Sequence, residues 1–425
     1  MRIRVLYIDG DGPFGGASRS LFEAVRALSV EAVEPYFIAA HGTAFDFYKL
    51  VAKDAINTHG LTKFDNTRYG FYRGLRWLVL LRELAYIPLS IVAVFRAYFR
   101  WEKVDLIHVN EFVYIFPALL AKILFRVPLV VHIRSVVESG HGLKRTKWLN
   151  RVLAKQAEVV IAIDENTRAS IPPHMKVEVI HNSFTPKYML ESDLVFEEKL
   201  KKLRSSSLKV GFVGNLHHSK GIFDLLDAAR ILKSQKVDVE FLIVGWVTIP
   251  DTGLKAWLLS RAGLAQNVQR ELENRIIQYD MNDYFHLLGG TKDIQRVYEG
   301  IDVIAFPSHY DAPGRPVFEA AFSYVPAIVA VNQPQADTLV HGETGLAIPA
   351  RDPEQLAAAI RYFSENPEEV IRMGNNAKAL AEENFEPLKN ANQLLEIYKH
   401  LVFFGEKGAK SDITLASGGK NDDDL

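Results

Sequence analysis

Residues 302–322 read DVIAFPSHYDAPGRPVFEAAF, and the punctuation of this stretch decides how the chain is parsed. Val303-Ile304-Ala305-Phe306 is an apolar run of buried-strand length. Pro307-Ser308 ends it, a loop carries Asp311, Gly314 and Arg315, and Pro316 suits the first turn of a helix holding Glu319. A strand feeding a helix through such a loop leaves unpaired N–H groups pointing outward, where the helix dipole favours an anion. With seven residues between them, Asp311 falls in the loop and Glu319 on the first helical turn. Two acids beside a phosphate-type site suit a diphosphate with hydroxyls at both ends, such as a nucleotide sugar. Taken alone, the stretch fits an ordinary α/β crossover with two solvated acids equally well.

The same alternation extends through the second half. A strand over 209–213 leads into Gly214-Asn215-Leu216-His217-His218-Ser219-Lys220-Gly221 and then a helix carrying Phe223, Leu226 and Ile231. Lys220, just before a helix start, suits a phosphate oxygen, a charged contact of about 1.5–3 kcal/mol. His217 and His218 are adjacent, so they do not converge on one ion, and no metal is expected. Further strands are predicted over 239–244, 285–288, 327–331 and 346–348. Helices are predicted near 293–298, 317–322, 353–363, 368–382 and 387–403. The polar segment 182–207 reads as an interdomain connection.

In the first half, a strand over 3–8 precedes Gly10-Asp11-Gly12-Pro13-Phe14-Gly15-Gly16. Gly10, Gly12 and Gly15 match the dinucleotide fingerprint G-x-G-x-x-G, but the second strand, 35–40, ends in His41-Gly42 without the confirming acid. A nicotinamide or flavin site is therefore not expected. These glycines let the backbone approach whatever sits above the sheet edge; a turn needing positive φ is a plausible plainer reading for Gly10 and Gly12, less so for the Gly15-Gly16 pair at a helix start. Strands over 106–109, 128–133, 159–163 and 177–180 alternate with helices, which implies a parallel sheet covered on both faces. Ligands of such sheets bind beyond the C-terminal strand ends. That places His108, Asn110, Glu111, His132 and Arg134 as candidates by position, although each histidine alone reads better as a satisfied core side chain.

Residues 68–103 combine many aromatic and aliphatic side chains with a basic excess. Two amphipathic helices packed on the sheet account for most of the apolar positions. The basic excess, with the second basic helix 144–155, favours an anionic membrane surface as partner.

The chain has 425 residues, 48% apolar and 24% charged, which suits a soluble protein of two or three domains. A net charge of −1 gives a nucleic-acid partner no global support. The lack of cysteine excludes disulfides and thiolate metal sites and suits a reducing compartment. The opening MRIRVLYIDGDG enters a strand without a signal-peptide pattern, so a cytoplasmic protein is expected. The expected division is an N-terminal Rossmann-like domain over 1–187, a second over 188–385, a helix over 386–403 returning to the first domain, and a disordered tail over 404–425.

GGASRSL (15–21), VGNLHHSKG (213–221), IDVIAFPS (301–308) with Asp311 and Glu319, EAAFSYVPAIV (319–329) and DTLVHGETGL (337–346) occur in that order. Over about residues 1–403 the chain resembles the retaining glycosyltransferases of family 4, the glycosyl transferases group 1. The resemblance implies a GT-B fold, two doubly wound domains facing across a cleft. It also implies metal-independent transfer of a hexose, with retention, from a nucleoside diphosphate donor to a glycan or lipid-linked acceptor, in polysaccharide or glycolipid synthesis. On that pattern Asp311, Lys220, Arg134 and His132 fall at catalytic positions. Gly15, Gly16, Asn215, Lys220, Gly314, Arg315 and Glu319 fall at donor-binding ones, with Glu319 on the ribose. The chain departs from the pattern at several points. Asn215 stands where the family usually has arginine, Asp311 and Asp337 where it has glutamate, and Arg134 at its frequent histidine. Pro316 removes a backbone N–H, and an arginine at 134 cannot act as a base. A sugar-nucleotide epimerase of the same fold and a non-catalytic nucleotide-sugar binder are the alternatives.

Overall fold

The computed structural model describes residues 2–404 apart from 69, 71, 73–76, 139–142, 187–192, 202, 205, 246–267 and 292. The predicted tail, beyond Phe404, lies outside the described residues. Strands β1 (Ile3–Asp9), β2 (Val33–Ala40), β3 (Asp54–Thr58), β4 (Leu106–Val109), β5 (Leu129–Ile133), β6 (Val159–Ala162) and β7 (Glu178–Val179) form one parallel sheet in the order β3-β2-β1-β4-β5-β6-β7. A second sheet joins β8 (Leu208–Val213), β9 (Val239–Val244), β10 (Phe285–Gly289), β11 (Val303–Phe306), β12 (Ala327–Ala330) and β13 (Gly345–Ile348) in the order β10-β9-β8-β11-β12-β13. Each order reverses once, between β1 and β4 and between β8 and β11. Those switch points open crevices at the strands' C-terminal ends, and the stretch 302–322 lies on the second of them.

The strand Asp54–Thr58 was not expected. DAINT is short and polar because it is the sheet's edge, where one side of the ladder faces solvent. The plainer reading of Gly10 and Gly12, a turn with positive φ, does not hold, for neither is left-handed. Close packing requires them instead: a Cβ on Gly10 would lie 2.2 Å from the Tyr114 ring, and one on Gly12 would lie 2.7 Å from the His41 carbonyl oxygen. The connection 182–207 is not all linker. Helix α8 (Leu194–Leu200), capped by Asp193, buries Phe196 in the second domain's core.

Helices α3 (Trp77–Ala85) and α4 (Ile87–Arg100) confirm the helical reading of the aromatic region. Alpha-4 packs inward through Ser90, Ala93, Val94 and Ala97. Ile87, Ile91, Val92, Phe95, Tyr98 and Phe99 are exposed, so core packing accounts for fewer of the apolar side chains than expected. Among the described residues no helix is long and apolar enough to cross a membrane.

The chain crosses between domains twice, side by side: Phe184 N donates to Phe385 O at 3.2 Å, and the Phe385 ring stacks on Phe318 at 4.2 Å. Beyond the second crossing, the last helix (Pro387–Phe403) returns to the first domain, burying Leu394, Leu395, Ile397 and Tyr398 beside β1 and β4. The Tyr398 hydroxyl lies 2.6 Å from His108 Nδ1 and 3.2 Å from the Tyr7 hydroxyl. His108 is thus a satisfied core histidine, and burial lowers its pKa to about 3. Tyr398→Phe leaves buried polar atoms unpaired. The expected loss is about 1–3 kcal/mol, read as a lower urea midpoint for the N-terminal domain's tryptophan fluorescence.

Candidate active site

Two loops of the second domain are stitched into one surface. The loop after β8 passes through a 3-10 turn, His218–Lys220, into the helix Ile222–Ser234. Gly221 has φ 73°, and a Cβ there would lie 1.9 Å from the Pro307 carbonyl oxygen, so only glycine fits. His309 N donates to Ser219 O at 2.9 Å, the Ser219 and Tyr310 hydroxyls touch, and His309 Nε2 pairs with Asp224 at 2.7 Å. His217 turns to Ser219 and His218 to Glu271, so the two histidines diverge.

This stitching fixes Lys220. Its ammonium lies over the Tyr310 ring at 4.7 Å and the Phe306 ring at 5.4 Å. Among the described residues no carboxylate pairs with it, and burial lowers its pKa to about 8. Gly314 approaches the same Phe306 ring, which a Cβ would meet at 2.4 Å. Asn215 is exposed beside Gly214, whose open face has nothing within 4 Å of a Cβ position. Asp311, at φ 54°, accepts from Asn332 N at 2.7 Å and faces Arg68 of the first domain at 3.5 Å. A left-handed aspartate held from both sides is an oriented carboxylate.

Helix α12 (Arg315–Ala321) starts two residues before its predicted position. Glu319 therefore sits on its second turn, not its first, one turn below Arg315. The two side chains meet as an i,i+4 pair at 2.8 Å. Glu319 is buried and also takes the Tyr298 hydroxyl at 2.8 Å and Arg19 at 3.4 Å. Burial alone would raise its pKa, but Arg315, Arg19 and the hydrogen bonds outweigh it and hold the carboxylate below its usual range. Arg315 reaches into the first domain, to Glu23 at 2.7 Å, the Ser20 hydroxyl at 2.7 Å and Ser183 O at 3.3 Å.

The facing wall is the start of helix α1 (Gly16–Ala27). Gly15 is its N-cap, and a Cβ on Gly16 would lie 3.7 Å from Arg315 Cδ. Behind it, Arg134 is buried. Its guanidinium donates to Asn110 at 2.5 Å and Asn182 at 2.7 Å and lies 3.3 Å from His132 Nδ1. Burial lowers its pKa to about 10 and raises that of neighbouring Glu111 to about 8. His132 lies deeper, its pKa driven well below the ordinary value by burial, then by Arg134 and His108, so it is neutral at physiological pH. The structure thus brings Gly16, Arg315 and Glu319 together across the cleft and sets Lys220 and Gly314 on one aromatic floor. It leaves His132 beneath the surface.

Several residues escaped the sequence reading. Arg19, Ser20 and Glu23 complete the cross-cleft network, and their signal was present: Arg19 and Glu23 have the i,i+4 spacing of a helical ion pair, formed at 2.9 Å. Asp11, at the end of β1, is held by Lys63 at 2.8 Å and the Tyr114 hydroxyl at 2.7 Å, which no local pattern announces. Asp337, singled out in the sequence only as a departure from the family's glutamate, anchors the other side of the junction, accepting from Glu165 N at 2.9 Å and meeting His181 at 2.8 Å.

Residues 15–183 match the family described as glycosyl transferase 4-like domain, and residues 195–380 match glycosyl transferases group 1. Over 204 residues the chain is 26% identical to the capsular polysaccharide biosynthesis glycosyltransferase CapM of Staphylococcus aureus, covering 47% of each chain. Over 288 residues it is 25% identical to the lipopolysaccharide core biosynthesis mannosyltransferase LpcC of Rhizobium leguminosarum, covering 67% of this chain and 75% of that one. The fold matches that of HepE of Anabaena, solved in complex with UDP, with a TM-score of 0.71 at 20% identity, covering 94% of this chain and 100% of the other. The two-domain fold is GT-B.

The Glu23–Arg315 contact is a nearly buried, charge-assisted pair between domains. A double-mutant cycle with Glu23→Gln and Arg315→Gln should give a coupling of about 1–3 kcal/mol in chemical denaturation. Additive effects would show that the pair does not hold the domains together.

Proposed function

From the match of residues 15–183 to the glycosyl transferase 4-like domain and of residues 195–380 to glycosyl transferases group 1, we propose that the protein transfers a hexose from a nucleoside diphosphate donor to a glycan or lipid-linked acceptor. The carrying observation is Lys220, a cation without a carboxylate partner among the described residues, fixed at the second sheet's switch point. A diphosphate supplies the missing anion. In this reading Lys220 takes the negative charge that grows on the leaving group, with no metal needed, and the loop from Gly314 lies beside it. Asp311 faces the donor sugar. Glu319 takes the ribose hydroxyls once donor binding draws Arg19 away, since both carboxylate oxygens are engaged in the present arrangement.

The acceptor hydroxyl attacks the anomeric carbon from the side of the leaving group as the bond to the diphosphate oxygen breaks. Its proton passes to that departing phosphate oxygen, and configuration is retained. Arg134 contributes charge rather than proton transfer. The capsular and lipopolysaccharide relatives support cell-surface polysaccharide synthesis as the setting. The exposed apolar face of α3 and α4 supports contact with the inner membrane face.

Lys220 makes the reading testable by titration. Below pH 8 the free protein carries the ammonium that a diphosphate needs; above it the charge is lost, so binding must recruit a proton. Calorimetry with UDP, GDP and ADP should find one preferred nucleotide, its affinity falling roughly tenfold from pH 7 to pH 9. Lys220→Met should weaken it by about 1.5–3 kcal/mol and flatten the slope. Failure of all three to bind, or unchanged affinity in the variant, refutes the diphosphate site. With the preferred nucleotide, Glu319→Ala should lose most of the affinity. A ribose-free diphosphate should bind the variant and the parent alike, and equal loss with both ligands would mean that Glu319 only supports the cleft.

A further inference from the structure

We propose that Arg134 is a specificity-determining residue whose guanidinium pairs with the carboxylate of an acidic sugar, a hexuronate, in the cleft. The inference rests on the glycosyltransferase reading above and narrows its sugar to one chemical class. Of the five N–H donors of an arginine, the three with partners all meet neutral atoms: Asn110 Oδ1 at 2.5 Å, Asn182 Oδ1 at 2.7 Å and His132 Nδ1 at 3.3 Å. Such partners orient a guanidinium without neutralising it. The acids whose charge reaches it, Glu111 and Asp9, are committed elsewhere. Glu111 accepts from the backbone N of Phe112 at 3.0 Å and of Arg134 itself at 3.2 Å, and Asp9 takes the Ser18 and Tyr48 hydroxyls. Among the described residues no carboxylate bonds the guanidinium directly, so its burial is left without an ion pair to offset it. His132 adds a second deficit. With Nδ1 accepting from Arg134, its neutral ring carries the proton on Nε2, and that nitrogen is buried without a partner.

Position and charge together identify the ligand. Arg134 is tied through Asn110 to the Ala17 carbonyl, on the first turn of α1, at 3.3 Å. Through Asn182 it is tied to the first crossing, where the next residue, Ser183, accepts from Arg315. It thus lies between the two segments that meet Arg315 across the cleft, close enough to feel that charge, and 9% of its surface stays exposed. A diphosphate at Lys220, on the other domain, leaves this second cation uncompensated. The missing partner must be an acceptor, because the recess has N–H groups left over. It must be a monoanion, because one arginine with Asp9 nearby repels a dianion such as a phosphate monoester. A planar carboxylate matches the guanidinium fork. The carboxylate of a hexuronate meets all three conditions, and either the donor sugar or the acceptor can carry it.

Methyl glucuronide and methyl galacturonide, each paired with its neutral methyl glycoside, are the probes, titrated into the full chain by ligand-observed NMR. At least one acid should bind about tenfold more tightly than its neutral counterpart. Equal affinity within both pairs, or no binding of either acid, overturns the proposal in the parent protein, before any variant is made. Arg134→Gln should abolish the preference, and Arg134→Lys, which keeps the charge without the fork, should retain part of it. Thermal unfolding of both variants checks that they fold. A preference that survives Arg134→Gln, or that is lost in Lys220→Met instead, overturns the assignment, since another cation would then hold the carboxylate. Adding the glucose conjugate of the preferred nucleotide separates the two sources. Displacement of the bound acid assigns the carboxylate to the donor sugar, and simultaneous binding assigns it to the acceptor. Failure of UDP, GDP and ADP to bind while the preference for the acid holds counts against the donor reading alone.

Discussion

Arg315 is a cation that neither domain satisfies alone. Glu319 on its own helix takes one edge of the guanidinium, while Glu23, Ser20 and the Ser183 carbonyl of the other domain take the rest. Two carboxylates and two arginines interlock there, because Arg19 bridges Glu23 and Glu319. In a partly desolvated setting such charges are stable only as a complete set. The network therefore sets the approach of α1 to α12, and with it the width of the cleft that Lys220 faces. The carboxylate proposed for the donor's ribose is also one that joins the contact between the domains, through Arg19. Donor entry and domain contact then compete at Oε1, the oxygen that Arg19 of the other domain approaches.

How much of this could be read from the sequence depended on whether the causes were local. The stretch 302–322 announced its strand, loop and helix correctly because apolar run, proline and glycine act on their immediate neighbours. The helix start was misplaced by two residues, and that error hid the Arg315–Glu319 pairing. Edge strand Asp54–Thr58 was missed because an edge needs no apolar alternation. Lys220 was legible from its glycine neighbour, although only Pro307 explains why that neighbour must be glycine.

Cross-domain partners were not legible. Arg19 and Asp337 look like solvated surface charges until the other domain is set against them. His132 shows a different limit. Strand-end position made His132 a site candidate, but position along a strand does not fix depth, and the Arg134 guanidinium lies 3.3 Å from its Nδ1. The apolar outer face of α4 was likewise undecidable, since its inner and outer stripes are both hydrophobic and only the packed structure tells them apart.

The return of the last helix to the first domain changes what counts as a domain in time. Tyr398 closes a buried cluster whose other members, Tyr7 and His108, are made hundreds of residues earlier. During vectorial synthesis the second domain has all of its strands before that helix emerges. The N-terminal domain, made before the second, is thus completed after it, and its β1–β4 surface waits uncovered until the helix Pro387–Phe403 arrives.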